Sequence, residues 1–198
     1  MRWSSGHPVK GNLNQTLPPG SPEKYTASAM ALHWIIAARM ISGFAIGWVM
    51  TDIPGFTPTK LRYFSWHKWI GCTVFALAII RLLWRAMHAA PRLSPGVPAW
   101  QRRAAQVTHL ALYVLMFVIP ATGYLYSSAS NVPVVYLGLV RLPSLIAPNP
   151  VLKPLLKYAH IYLNYALLLL VGLHVLAALK HQFLNRDGLL SRMLPFAK

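Results

Sequence analysis

Four long apolar stretches, separated by segments rich in proline and glycine, dominate the pattern along the chain. They cover about residues 29–50, 69–87, 104–126 and 158–179. Each is long enough to cross a hydrocarbon core, which takes about 20 helical residues. The helices are expected to begin a few residues earlier, because those extensions carry the Trp and Tyr residues typical of membrane interfaces. The predicted starts are Tyr25, Lys60, Trp100 and Pro154. The pattern predicts an all-α integral membrane protein, a four-helix transmembrane bundle.

The connections between the stretches support this count of helices. Residues 51–59 and 91–98 are short and hold several prolines and a glycine each. The third connection, residues 127–153, is the longest and mixes four prolines with apolar pieces such as residues 134–137. This mixture predicts a lid or a short helix lying in the membrane interface. Pro120 lies inside the third stretch, where membrane helices tolerate a kink.

The ends and flanks of the stretches predict the domain limits and the orientation. Residues 1–24 are polar and rich in Pro and Gly, without the apolar core of a signal peptide. They are predicted to form a disordered cytoplasmic tail before a membrane domain of residues 25–195. Eleven Lys and Arg residues flank the side with both termini and six flank the other side. The positive-inside rule therefore places both termini in the cytoplasm.

Composition narrows the class of protein further. The chain is 56% hydrophobic and 11% charged, whereas soluble domains carry roughly 25% charged residues. Its formal charge is +16, from 19 basic and 3 acidic residues. The basic residues punctuate apolar runs, so nucleic acid is not an expected partner and membrane lipid is. The single cysteine, Cys72, excludes an intrachain disulfide and a CxxC metal site. Neither a Ser-His-Asp arrangement nor a glycine-rich phosphate loop occurs.

Histidines carry the candidate chemistry, because ionisable groups within membrane helices are costly and mark function by default. Five of the eight lie in or near the helices: His33, His67, His109, His160 and His174. His160 and His174 are 14 residues apart, nearly four turns and about 21 Å on one helix face. The alternating topology places His33 at the depth of His174 near the inner side, and His67 at the depth of His160 near the outer side. Imidazole suits iron, so the pattern predicts two haems, each held by two histidines from facing helices.

Three further polar residues have less certain roles. Arg81 follows His67 by 14 residues and should face the inner haem. It would either bind a haem propionate or extend to the cytoplasmic interface beside Arg85. His109 has no partner at its depth, so a position near the haem or facing quinone is as well supported as ordinary packing. Spacing gives Arg39 no role.

Several short runs of sequence resemble the prokaryotic cytochrome b561 family. They are ALHW at residues 31–34, WHKWIG at 66–71, IRLLWR at 80–85, THLALY at 108–113 with Pro120 and Gly123, His160, GLH at 172–174 and RDGLLSRMLP at 186–195. The resemblance covers residues 25–195. It implies a four-helix protein of the bacterial inner membrane with two b-type haems, axial ligands at His33, His67, His160 and His174, and exchange of electrons with ubiquinone.

The resemblance leaves two functions open, because one member of the family is a superoxide oxidase. The first is a superoxide:ubiquinone oxidoreductase, in which outer basic residues, Arg62 and Lys68 foremost, steer the anion. Neutralisation of propionates and lipid headgroups explains these residues equally well. The second is an electron-transfer subunit that links quinone to a dehydrogenase or a soluble redox partner. A third hypothesis, a transporter or metal-handling protein with zinc or copper on the histidines, lacks supporting carboxylates or thiolates.

Overall fold

The computed structural model describes residues 24–88, 90–91 and 97–194, and its main elements are four helices. They are α1 (Ala27–Asp52), α2 (Pro58–Met87), α3 (Ala99–Ala129) and α4 (Leu152–Lys180). All four are long and apolar enough to cross a membrane, so the predicted helical membrane bundle is confirmed. Apart from Lys24, the predicted tail lies outside the described residues, as do His7, Arg92 and Pro195.

Local signals explain where the helices begin. The Thr26 hydroxyl accepts a hydrogen bond from the Ala29 amide at 3.3 Å, and the Thr57 hydroxyl accepts one from the Lys60 amide at 3.1 Å. Such caps satisfy backbone amides that have no partner within the helix. The Asn149 side chain does the same for α4, accepting from the amides of residues 151 and 152, each at 3.0 Å.

The helices pack in sequence, α1 on α2, α2 on α3 and α3 on α4. A small apolar core lies where the first three meet, formed by Ile36, Ala78 and Met116. None of the residues of α4 is buried. Many large apolar side chains lie on the outer surface instead, as expected for a bundle whose exterior faces lipid.

The third connection contains a β-hairpin. Strands β1 (Val134–Tyr136) and β2 (Val140–Leu142) pair antiparallel. The turn between them holds Leu137 and Gly138, with φ angles of 53° and 74°. Glycine adopts positive φ at no steric cost, so the turn closes. Because the segment forms two paired strands, the expected short helix is wrong at this position.

The hairpin is fixed against α2. The Trp69 indole donates to the Val135 carbonyl at 2.7 Å, and the hydroxyls of Thr73 and Tyr136 share a hydrogen bond of 2.9 Å. We call this end of the bundle the hairpin end. The hairpin thus packs against the middle of α2, at Trp69 and Thr73.

The segment after α4 closes the other end of the bundle. A π-helical turn, His181–Asn185, and a 3₁₀ turn, Ser191–Met193, follow α4. The Met193 carbonyl accepts from the Trp34 indole at 2.8 Å, and the Tyr25 amide donates to the Arg192 carbonyl at 3.3 Å. The two ends of the described chain therefore meet at one end of the bundle, which we call the terminal end.

Candidate functional site

Four histidines lie in two pairs, one near each end of the bundle. His33 on α1 lies beside His174 on α4, with 6.4 Å between the ring centroids. His67 on α2 lies beside His160 on α4, with 6.0 Å between the centroids. We call these the terminal-end pair and the hairpin-end pair. They are the two combinations expected from helix depth, and α4 contributes one histidine to each.

The spacing within each pair fits two ligands on one metal ion. An imidazole nitrogen bonds a metal ion at about 2 Å, so two imidazoles on opposite sides of one ion hold their ring centroids about 6 Å apart. The distances of 6.4 and 6.0 Å match this value. The donor set also suits haem iron, for which histidine is a common axial ligand.

The hydrogen bond of His67 prepares one ring nitrogen for a metal. Its Nδ1 lies 2.9 Å from the Gly43 carbonyl. A carbonyl only accepts, so Nδ1 carries the proton and Nε2 has a free lone pair. Metal-binding histidines commonly donate their other nitrogen in this way. A Cβ atom at Gly47 would lie 3.1 Å from the His67 ring, so glycine gives the imidazole its space on α1.

His160 repeats this arrangement against α3. Its Nδ1 lies 3.0 Å from the Ile119 carbonyl and 3.2 Å from the Thr122 hydroxyl. A Cβ atom at Gly123 would lie 2.9 Å from the His160 ring. In both cases the ring packs at a glycine and Nδ1 reaches the carbonyl four residues earlier, one helical turn away. Equivalent contacts therefore hold each histidine of the hairpin-end pair in a single orientation.

The terminal-end pair has a guanidinium nearby. Arg81 is close enough to His33, His109 and His174 to interact electrostatically with each. Its Nε donates to the Tyr113 hydroxyl at 3.0 Å. Its Nη1 is buried and has no hydrogen-bond partner among the described residues. A buried charged donor of this kind calls for an acceptor, and a haem propionate fits that requirement.

His109 lies beside the terminal-end pair, where sequence reasoning left it without a partner. Its ring centroid is 5.3 Å from that of His174, shorter than the separation within either pair. Arg81 and Arg85 are both within its electrostatic reach. The position fits a residue close to the site that is not one of its two facing imidazoles.

The hairpin end also carries the basic residues proposed to steer an anion. Arg62 is exposed near the start of α2. Lys68 is half-buried, and its Nζ lies 3.5 Å from the Pro133 carbonyl. Four of the six basic residues at this end are exposed: Arg62, Arg141, Lys153 and Lys157. This part of the surface is therefore positively charged.

Sequence reasoning gave no structural role to the residues that contact the histidines and Arg81. Gly47, Gly123 and Tyr113 each touch a candidate site residue from a different helix. Glycine within a membrane helix signals a close approach of neighbouring groups, which could have singled out the two glycines. The partner of Arg81 had no signal, because it depends on how α2 and α3 pack.

Membrane-length helices that present paired histidines near both ends of a bundle are typical of b-type membrane cytochromes. Comparison with known proteins bears out this class. The model of the family described as prokaryotic cytochrome b561 matches residues 24–196. The chain therefore belongs to the prokaryotic cytochrome b561 family, whose members are membrane electron-transfer proteins and for which b-type haem is implied. The family resemblance found in the sequence is confirmed.

Individual relatives match over nearly their whole length. Cytochrome b561 homolog 2 of Escherichia coli K12 is 32% identical over 174 residues, covering 88% of this chain and 93% of the relative. Cytochrome b561 homolog 1 of the same organism is 28% identical, with coverage of 88% and 99%. A protein of Yersinia pestis named as a probable superoxide oxidase, CybB, is 28% identical, with coverage of 87% and 97%.

Proposed function

We propose that the chain holds two b-type haems and carries electrons singly across a bacterial inner membrane to ubiquinone. His33 and His174 are the proposed axial ligands of one haem, and His67 and His160 those of the other. The observation that carries this proposal is the pairing of the four rings, at centroid distances of 6.4 and 6.0 Å. Each haem would supply an iron that takes up and releases one electron without a proton.

The role of α4 is to align the two sites across the bundle. His160 and His174 are 14 residues apart on one helix, which separates them by about 21 Å along its axis. This is a large part of a hydrocarbon core of about 30 Å. The two sites thus bridge most of the membrane, with the carbonyls of Gly43 and Ile119 fixing the hairpin-end imidazoles.

Superoxide is the proposed electron donor at the hairpin end. Each superoxide that gives up one electron becomes O₂, so two of them supply the electrons that, with two protons, convert ubiquinone to ubiquinol. The exposed basic residues of this end suit attraction of a small anion. The relative named as a probable superoxide oxidase, 28% identical over 177 residues, also supports this donor.

Quinone reduction is proposed at the terminal end, which we place in the cytoplasm from the distribution of Lys and Arg. Arg81 and His109 are candidates for holding the quinone or for delivering protons, since both lie beside the terminal-end pair. Tyr113 fixes Arg81 through the hydrogen bond at 3.0 Å. In this arrangement electrons enter at the hairpin end and leave at the terminal end.

Reversing charge at the hairpin end should slow the reaction with superoxide. We expect Arg62→Glu and Lys68→Glu each to lower the second-order rate several-fold, because steering by clefts of one sign raises association rates by about 10-fold or more. The effect should shrink as ionic strength rises, since salt screens exposed charges. Rapid mixing of the purified protein with superoxide, at several salt concentrations, measures both quantities.

The matched control is Arg103→Glu. This exposed residue lies in the first turns of α3, at the opposite end of the bundle, and changes the net charge equally. Its rate should equal that of the unchanged protein. If Arg62→Glu and Lys68→Glu also react with superoxide at the rate of the unchanged protein, steering by these residues is removed from the proposal.

Replacing Arg81 by glutamine should weaken the terminal-end haem site. We expect a lower content of one haem per chain and retention of the other, because the propionate loses its charge-assisted partner. Arg85→Gln is the control, since its guanidinium lies at the same 5.9 Å from the Tyr113 ring centroid as that of Arg81. Haem quantification on purified protein measures the outcome. Full haem content in Arg81→Gln would show that this arginine does not anchor a propionate.

A docking role for the hairpin is the second candidate function. Leu137 and Leu139 at its turn are 52% and 84% exposed. An apolar tip of this kind offers a contact for a partner protein, which would make the chain an electron-transfer subunit for a dehydrogenase or soluble redox partner. Replacing both leucines by serine should then abolish reduction by the partner and leave the superoxide rate unchanged.

A further inference from the structure

Arg39 lies at the middle of a membrane helix. It is the thirteenth of the 26 residues of α1, so about 20 Å of helix extends to either end. With a hydrocarbon core of about 30 Å, its backbone is close to the bilayer midplane. An arginine at this depth is costly and marks a function by default.

No carboxylate is available to neutralise Arg39 within the described part of the chain. The two acidic residues there are Asp52 and Asp187. Asp52 is the last residue of α1, 13 positions away, and Asp187 pairs with His181 beyond α4. Neither of these two carboxylates therefore lies beside the Arg39 guanidinium.

Arg39 is exposed on the outside of α1 and also lines the same pocket as the hairpin-end pair. This pocket is bordered by His67 and His160, together with Gly43 and Asn164. Residues four apart are neighbours on a helix face. Arg39 therefore lies one helical turn before Gly43, whose carbonyl accepts the hydrogen bond from His67. The pocket otherwise has mostly apolar walls from α1, α2 and α3, which screen a charge poorly.

We propose that the positive charge of Arg39 raises the reduction potential of the hairpin-end haem. The inference rests on the proposed function, because it presupposes a haem between His67 and His160. Reduction adds one electron and no proton to the iron, so the site becomes more negative by one charge. A cation at the wall of this pocket stabilises the reduced form more than the oxidised form. The charge favours acceptance of an electron from a donor at the hairpin end.

The test is a potentiometric titration, with redox mediators, of the purified protein and of Arg39→Gln and Arg39→Lys. In Arg39→Gln we expect the equilibrium constant for reduction of one haem to fall about tenfold, which is about 59 mV for one electron. The potential of the other haem should change less. Arg39→Lys should keep both potentials near their original values because it keeps the charge. A His160→Ala variant, which is expected to retain only the terminal-end haem, identifies which potential belongs to which site.

Each outcome decides the matter. Loss of the hairpin-end haem in Arg39→Gln but not in Arg39→Lys would overturn a role in setting the potential, because the charge would then be needed to hold the haem. Unchanged potentials in Arg39→Gln would overturn the proposal, and so would loss of the haem in both variants, since packing would then explain the residue. Absence of haem from the unchanged protein would instead refute the proposed function itself.

Discussion

Replacing His160 by alanine should remove one of two haems and leave the other in place. His160 belongs to the hairpin-end pair, with its ring centroid 6.0 Å from that of His67. The terminal-end pair uses α1 in place of α2 and a different residue of α4, so its geometry does not depend on His160. Haem quantified per chain should therefore fall from about two to about one, a ratio set by the two-site account.

The reciprocal variant makes this prediction sharper. His33→Ala should lose the other haem, so the remaining absorption bands of the two variants should add up to those of the unchanged protein. His88→Ala serves as the control, because His88 is exposed at the end of α2 and stacks on Trp84 instead of facing another histidine. Retention of both haems in His160→Ala, or loss of both, would contradict the pairing.

A single methyl group at Gly123 should disturb the same site from a neighbouring helix. The Cβ atom of Gly123→Ala would lie 2.9 Å from the His160 ring, closer than carbon atoms approach without strain. The ring must move away, and its hydrogen bond of 3.0 Å to the Ile119 carbonyl would weaken. Changes of this kind around a metal ligand cost roughly 10–100-fold in affinity. Haem titration into the apoprotein variant measures the loss.

The matched control for this substitution is Gly172→Ala. Gly172 also lies inside a membrane helix, but a Cβ atom there would meet nothing within 4 Å. It makes the same change in helix propensity without touching a histidine, and both haems should bind as before. If the two variants bind haem equally well, the contact between Gly123 and His160 has no part in orienting the ligand.

The pairing of the histidines could be predicted because helix geometry is regular. Once the four spans were placed, the residue numbers of His33, His67, His160 and His174 fixed their depths, and the 14-residue interval fixed a common face of α4. The structure brings together the same two pairs. Their role as haem ligands stays a prediction.

The remaining features depend on contacts that a one-dimensional pattern does not contain. The hairpin was missed because residues 134–137 are apolar and short, and such runs do not distinguish a strand from a helix. The contact between Arg81 and Tyr113 depends on how α2 packs against α3. The place of Arg39 in a pocket with His67 and His160 depends on how α1, α2 and α4 pack together.

A reduced-minus-oxidised absorption spectrum of the purified protein in detergent, with haem quantified per chain, tests the central claim most directly. The account predicts two low-spin b-type haems per chain, since each pair of facing imidazoles would hold one haem iron. One haem per chain would leave a histidine pair without its proposed role. Absence of haem in protein from cells able to make it would contradict the account altogether.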